Sequence, residues 1–204
     1  MRINRPTERE LSKSFAKAVV LLAVAILLAA CSPKLDWRTV QSPQESYTAL
    51  FPGKPDKIER RIPYQDQELL QTLEAVKIDD DIYSIGSIYL SKQQTELLAT
   101  LLAQLKENLF RNAGVDQLTA VNSDGMYQTA NHQRMPTKDY FLEFKSTNTT
   151  QQAMRVRWII KPTENGGIWL YQVSILHTGL VQPDVRTFFS TEEYANFFDE
   201  FHPN

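Results

Sequence analysis

The chain has 204 residues, of which 42% are hydrophobic, 23% charged and 10% aromatic, and its formal charge is −2. That length holds one folded domain plus something short, and the composition excludes a wholly disordered chain, a collagen-like chain and a polytopic membrane protein. A single cysteine excludes a disulfide framework and a cysteine-rich zinc site, while the near-neutral charge argues against a nucleic-acid partner.

The N-terminus carries the strongest signal. Arg2, Arg5, Arg9, Lys13 and Lys17 stand against Glu8 and Glu10, and an unbroken apolar run of 13 residues follows over 18–30. As a helix that run would span about 20 Å, short of the roughly 30 Å hydrocarbon core of a bilayer. A basic head and a short apolar stretch closed by small residues read as an export signal over 1–30. Its end, Leu28-Ala29-Ala30-Cys31, resembles the lipobox of bacterial lipoproteins, and Cys31 is the sole cysteine. The resemblance implies cleavage between Ala30 and Cys31, a diacylglycerol thioether on Cys31, and acylation of the new amine. Two or more acyl chains, at about 0.8 kcal/mol per buried CH₂, make a stable membrane anchor. Loss of the leader removes five basic and two acidic residues, leaving 17 basic against 22 acidic and a net charge of −5. So acidic a surface does not adhere to anionic lipid, and the lipid must do the tethering. In a host with two membranes, Ser32 after Cys31 implies the outer membrane, facing the periplasm, rather than the inner one.

Beyond the leader, residues 31–46 are polar and contain Pro33 and Pro43, which reads as the lipidated cysteine and a flexible spacer. One α+β domain is expected over 47–204. Strand patterns run over 57–63, 69–78 and 82–90, with Asp79-Asp80-Asp81 turning the chain between the last two. A long central helix follows. Ser91 and Gln94 make a capping box, Leu98, Leu101, Leu102, Leu105 and Leu109 recur at helical spacing with Leu97 and Phe110 widening the stripe, and Gly114 supplies the stop. A strand is expected over 140–147. Met154, Val156, Trp158 and Ile160 then alternate with Arg155, Arg157 and Lys161; Asn165-Gly166 supplies a turn; Trp169, Tyr171, Val173 and Ile175 alternate again, completing a hairpin. A C-terminal helix starts from the capping pair Ser190 and Glu193 and stacks Tyr194, Phe197, Phe198 and Phe201 on one face. Connections this short make the sheet largely antiparallel.

The run Tyr47-Thr48-Ala49-Leu50-Phe51-Pro52-Gly53-Lys54-Pro55 resembles the opening strand of PsbP-like domains and related bacterial lipoproteins. The mid-chain helix, the late hairpin and the terminal Phe197-Phe198-x-x-Phe201 helix are similar too, so the resemblance covers about 47–202. It implies a central antiparallel sheet with helices packed on it and an accessory or assembly role. It transfers no catalytic residue.

Patterns that carry chemistry are sparse. His132, His177 and His202 make no H-x-x-x-H or H-E-x-x-H spacing, no G-x-S-x-G elbow occurs, and Gly53-Lys54 fails as a phosphate loop because Pro55 stands where Ser or Thr should ligand magnesium. Asp79, Asp80 and Asp81 read as a solvated turn rather than a calcium loop. Asn148-Thr149-Thr150 matches a glycosylation sequon that means little in a bacterial lipoprotein. No catalytic residue, metal site or cofactor is expected. Arg155, Arg157 and Lys161 share a strand face and form the candidate partner surface, for an acidic protein or lipid headgroups; the competing reading is a charged outer face that discourages edge aggregation. The expected function is that of a lipid-anchored, non-enzymatic envelope protein binding another envelope protein. The alternatives are a module for a small apolar or lipidic ligand held between sheet and helix, and an enzyme with a site assembled from scattered residues.

Overall fold

The alternation of apolar and polar residues that dominates the chain becomes sheet, and the two helical stripes cover it from opposite sides. The computed structural model describes residues 35–144 and 151–204. The expected leader, its cleavage site at Ala30, the lipidated Cys31, the end of the strand expected over 140–147 and the Asn148 sequon lie outside the described residues.

Two sheets form. Strands β1 (Arg38–Ser42), β2 (Tyr47–Phe51) and β10 (His202–Pro203) make a small one in the order β1-β2-β10. Strands β3 (Asp56–Tyr64), β4 (Gln67–Ile78), β5 (Asp81–Leu90), β6 (Val121–Gln128), β7 (Arg134–Phe144), β8 (Gln152–Pro162) and β9 (Ile168–Thr178) make the main one. Its order is β3-β4-β5-β9-β8-β7-β6, and every neighbouring pair is antiparallel. The described chain is therefore mixed, mostly antiparallel sheet with few helices, as an α+β reading expects.

Both faces of the main sheet are apolar, so it has two cores. On one face Tyr83, Ile85, Tyr171, Val173 and Ile175 pack against the small sheet and the C-terminal helices. On the other, Ile88, Leu90, Val156, Trp158 and Leu170 pack under helix α1 (Leu98–Ala113). The Ser91–Gln94 pair opens this segment as expected, the Gln94 Oε1 accepting from the Ser91 N–H at 3.1 Å, but the first turn, Lys92–Leu97, is 3-10 and the α-helix starts only at Leu98. Gly114 ends it at φ 65°, the left-handed conformation that glycine adopts without a Cβ penalty.

The C-terminal region differs from the expected single helix. A short helix, α2 (Val185–Phe188), is capped by the Asp184 side chain, which accepts from the Arg186 and Thr187 N–H groups. Helix α3 (Glu192–Asp199) follows with Thr191 at its N-cap. Ser190 is diverted, because its hydroxyl donates to the Arg186 carbonyl at 2.6 Å. Tyr194, Phe197 and Phe198 are buried as the stripe requires, and Phe201 is buried just beyond the helix end.

One boundary is corrected. The segment read as spacer up to residue 46 is folded from Leu35 onward, and the compact unit runs Leu35–Asn204. β1 pairs with β2 from Arg38 opposite Phe51 to Ser42 opposite Tyr47, Trp37 stacks edge-on against Tyr83, and the Asp36 N–H donates to the Pro52 carbonyl. Its outward residues are polar and its inward ones few, so the strand carries almost no periodic signal of its own and owes its place to pairing.

Candidate functional site

A cleft of about 510 Å³ opens beneath α1, where β7 and β8 part. The β7–β8 ladder runs from Phe144 opposite Gln152 back to Asp139 opposite Arg157 and stops there. Beyond that rung, β7 stays paired with β6 and β8 with β9, so each strand keeps its other neighbour. Proline explains the break. Continued in register, Pro136 would face Ile160 and Pro162 would face Arg134, and neither proline has an N–H to give the ladder. The Thr137 hydroxyl instead crosses the gap and donates to the Trp158 carbonyl at 3.2 Å.

The walls are apolar and aromatic with cations above them. Trp158 and Tyr140 meet edge to face with centroids 5.6 Å apart, and Phe110 of α1 closes on Tyr140 at 5.4 Å. The Trp158 indole N–H donates to the Gln172 side-chain oxygen at 3.2 Å, which fixes the ring. From α1, Leu102 forms the roof, and the Lys106 ammonium lies 5.3 Å from the centroids of both Tyr140 and Trp158. A cation over two rings is attracted by their negative faces, which positions Lys106 at the mouth. Across the opening, Lys138 pairs with Asp124 at 2.8 Å. This hydrogen bond and the attraction of opposite charge hold the Asp124 carboxyl below its ordinary range and the Lys138 ammonium above its own, so both stay charged at neutral pH. Ile160, 38% exposed, and Met126, 43% exposed, continue the apolar strip from the cleft to the edge strand β6, where Met126 lies opposite Pro136.

On the far side of the sheet, a buried ion cluster clamps the strands at the rung where they part. Arg155 and Arg157 both bind Asp139, through contacts of 2.5 Å and 2.6 Å. Arg155 also donates to the Phe189 carbonyl at 3.0 Å and Arg157 to the Phe198 carbonyl at 2.9 Å, so the two guanidinium groups cap the ends of α2 and α3. The Phe198 ring lies 4.0 Å under the Arg155 guanidinium. Gly125 of β6 abuts the cluster, a Cβ there falling 3.2 Å from Arg157.

The candidate partner surface is thereby corrected. Arg155 and Arg157 are 7% and 2% exposed, and they are neither a docking face nor an outer charged one, because the small sheet and the C-terminal helices cover that side of β8. Lys161, on the same strand face, is half-buried and apart from the cluster. Asp81 of the triple-aspartate turn accepts from the Tyr194 hydroxyl at 3.0 Å and pairs with His177 at 2.7 Å. His202 contacts the Gln128 carbonyl at 3.0 Å through Nδ1. Among the described residues, no three His, Cys, Asp or Glu side chains gather as metal ligands, nor is any helix long and apolar enough to cross a membrane.

Lys106, Lys138 and Pro136 were not singled out from the sequence. The available signal was Pro136 beside a strand pattern, which marks a place where a ladder must fail. Compared with protein-family models, with curated proteins and with solved structures, the chain matches none.

Proposed function

We propose that this protein is a lipid-anchored envelope lipoprotein with a PsbP-like folded part, a non-enzymatic accessory or assembly factor that holds another envelope protein in the cleft beneath α1. The lipobox-like Leu28-Ala29-Ala30-Cys31 supports the anchor, and Ser32 supports the outer membrane. The observation that carries the binding role is the cleft itself: aromatic and aliphatic walls, a size within the range of about 300–1,000 Å³ usual for binding sites, and two lysines at the rim. Apolar contact with a few placed charges is what recognition needs. A second reading, a small apolar or lipidic ligand in the same cleft, is favoured by the Trp158–Tyr140 pair.

Two measurements test this. Cys31→Ser in the producing cell is expected to leave an unacylated precursor; uptake of labelled fatty acid by that variant would end the lipoprotein reading. Crosslinking on intact membranes is expected to join the cleft to one envelope protein reproducibly, and crosslinks to lipid alone would favour the second reading.

A further inference from the structure

We infer that the open β3 edge of the main sheet binds a second copy of this chain. The two β3 strands pair antiparallel about a two-fold axis through Ile58 and make one continuous sheet across the dimer.

The backbone of β3 is laid out for this. The strand stands at the end of the sheet order, bonded to β4 alone. Tyr64 faces Gln67 across the two-residue turn Gln65-Asp66, and a turn bond joins such a closing pair. Bonded and unbonded rungs then alternate down the unbroken register, so Tyr64, Ile62, Arg60, Ile58 and Asp56 turn their N–H and C=O groups to β4. Lys57, Glu59 and Arg61 turn theirs outward, where no backbone partner meets them among the described residues. Pro63, which has no N–H, falls in the outward set and costs the β3–β4 ladder nothing.

The side chains select the partner. Ile58 stands opposite Leu73 and Arg60 opposite Gln71, and the four wall one shallow depression, so Asp56, Ile58 and Arg60 share that face. Ile58 is 61% exposed and Leu73 39%, an apolar pair left uncovered beside the edge. When two copies pair antiparallel, the axis is normal to the sheet and passes through one residue. Placed at Lys57, Glu59, Arg60 or Arg61, it sets a charge against its own copy; placed at Ile62, it brings no opposite charges together. Placed at Ile58, it joins the two isoleucines, with a Leu73 on either side, and sets Asp56 of each copy opposite Arg60 of the other. Among the described residues neither Asp56 nor Arg60 has an ion partner. Arg60 gives its Nε to Gln71 at 2.7 Å, which leaves the ends of the guanidinium for a carboxylate. On the other face Lys57 meets Glu59 of the second copy, but Lys57 is already held by Glu45, so recognition rests on Asp56, Ile58 and Arg60.

Disulfide capture of the full chain in membranes of the producing cell tests this. An unbonded antiparallel rung holds its Cα atoms about 4.5 Å apart, within disulfide reach. Ile58→Cys is therefore expected to give, on mild oxidation, an adduct of twice the chain's mass. Arg60→Cys, whose two copies lie about 13 Å apart along the strands, should give little. So should Leu118→Cys, 93% exposed in the loop between α1 and β6. Purified in detergent, the full chain is expected to sediment as a dimer. Asp56→Arg should raise the dissociation constant by about tenfold or more, and Asp56→Arg combined with Arg60→Asp should restore it, a rescue that a damaged fold does not produce. No Ile58→Cys adduct, an adduct with a different protein, equal capture at the three positions, or failure of the charge exchange to restore the dimer would each overturn the inference.

Discussion

At the scale of single residues, the Arg155–Asp139–Arg157 cluster shows how the sheet tolerates charge in its interior. Burial alone pushes the Asp139 carboxyl up, but its hydrogen bond and ion pair with Arg157, then those with Arg155, outweigh burial and hold it below the ordinary carboxylate range. A carboxyl depressed in the folded state contributes stability that is fully present above its unfolded pKa, near 4, and is lost as pH falls through the lower folded value. Asp139→Asn leaves two buried guanidinium groups without their anion and is expected to cost about 3–5 kcal/mol at pH 7. Because the variant has no such group to titrate, its stability should fall less than the wild type's as pH drops below about 4. Urea unfolding across pH 7 to 2 checks both, and parallel curves for the two proteins would refute the linkage. From the sequence, Arg155 and Arg157 looked like surface charges; only the pairing of β7 with β8, between residues far apart in the chain, sets Asp139 beside them.

At the scale of elements, legibility follows the strength of local periodicity. α1, the β8–β9 hairpin and the Asn165-Gly166 turn were all readable, because each writes its period or its turn chemistry into a short window; Gly166 indeed takes φ 81°. β1 and β6 were not: the burial of β1 barely alternates, and β6 alternates in burial but turns Ser123 and Gly125 inward, so neither writes an apolar period and their partners define them. The cleft was illegible for the same reason. It arises where a ladder ends, and a ladder is a relation between two strands. α3 lies between these cases. Its aromatic stripe was clear while its start was displaced, since Asp184 caps the separate α2 just upstream and occupies the first turn's donors there. Phe198 is fully buried, packs on Phe197 with centroids 5.7 Å apart and underlies Arg155. Phe198→Ala is therefore expected to cost about 3–5 kcal/mol through the cavity and the lost cation contact. A change within about 0.5 kcal/mol by denaturant titration, the range of surface substitutions, would mean that α3 does not belong to the core.

At the scale of the whole molecule, the small sheet decides where the domain begins. β1 lies over one face of the main sheet, where Ser42 donates to the buried Glu74 carboxylate of β4 at 2.5 Å. The turn that follows brings Glu45 to Lys57 of β3 at 2.7 Å, and the Tyr171 hydroxyl of β9 donates to the Glu45 carbonyl at 2.7 Å. These contacts tie residues 35–46 to three different strands of the main sheet. A chain starting at Leu35 should accordingly fold to a single cooperative unit with a strong near-ultraviolet dichroism signal. One starting at Tyr47 keeps every strand of the main sheet but strips Glu74 and Tyr171 of their partners and uncovers Tyr83, which loses Trp37. Each buried polar group left unpaired costs about 1–3 kcal/mol, so the two together with the lost apolar cover amount to a large fraction of the 5–15 kcal/mol that holds a typical domain. The shorter chain is expected to unfold at much lower urea, with a weakened aromatic dichroism signal. If the two chains unfolded at the same midpoint, residues 35–46 would be a tether after all, and the spacer would extend to Tyr47 as the composition of that segment alone suggests.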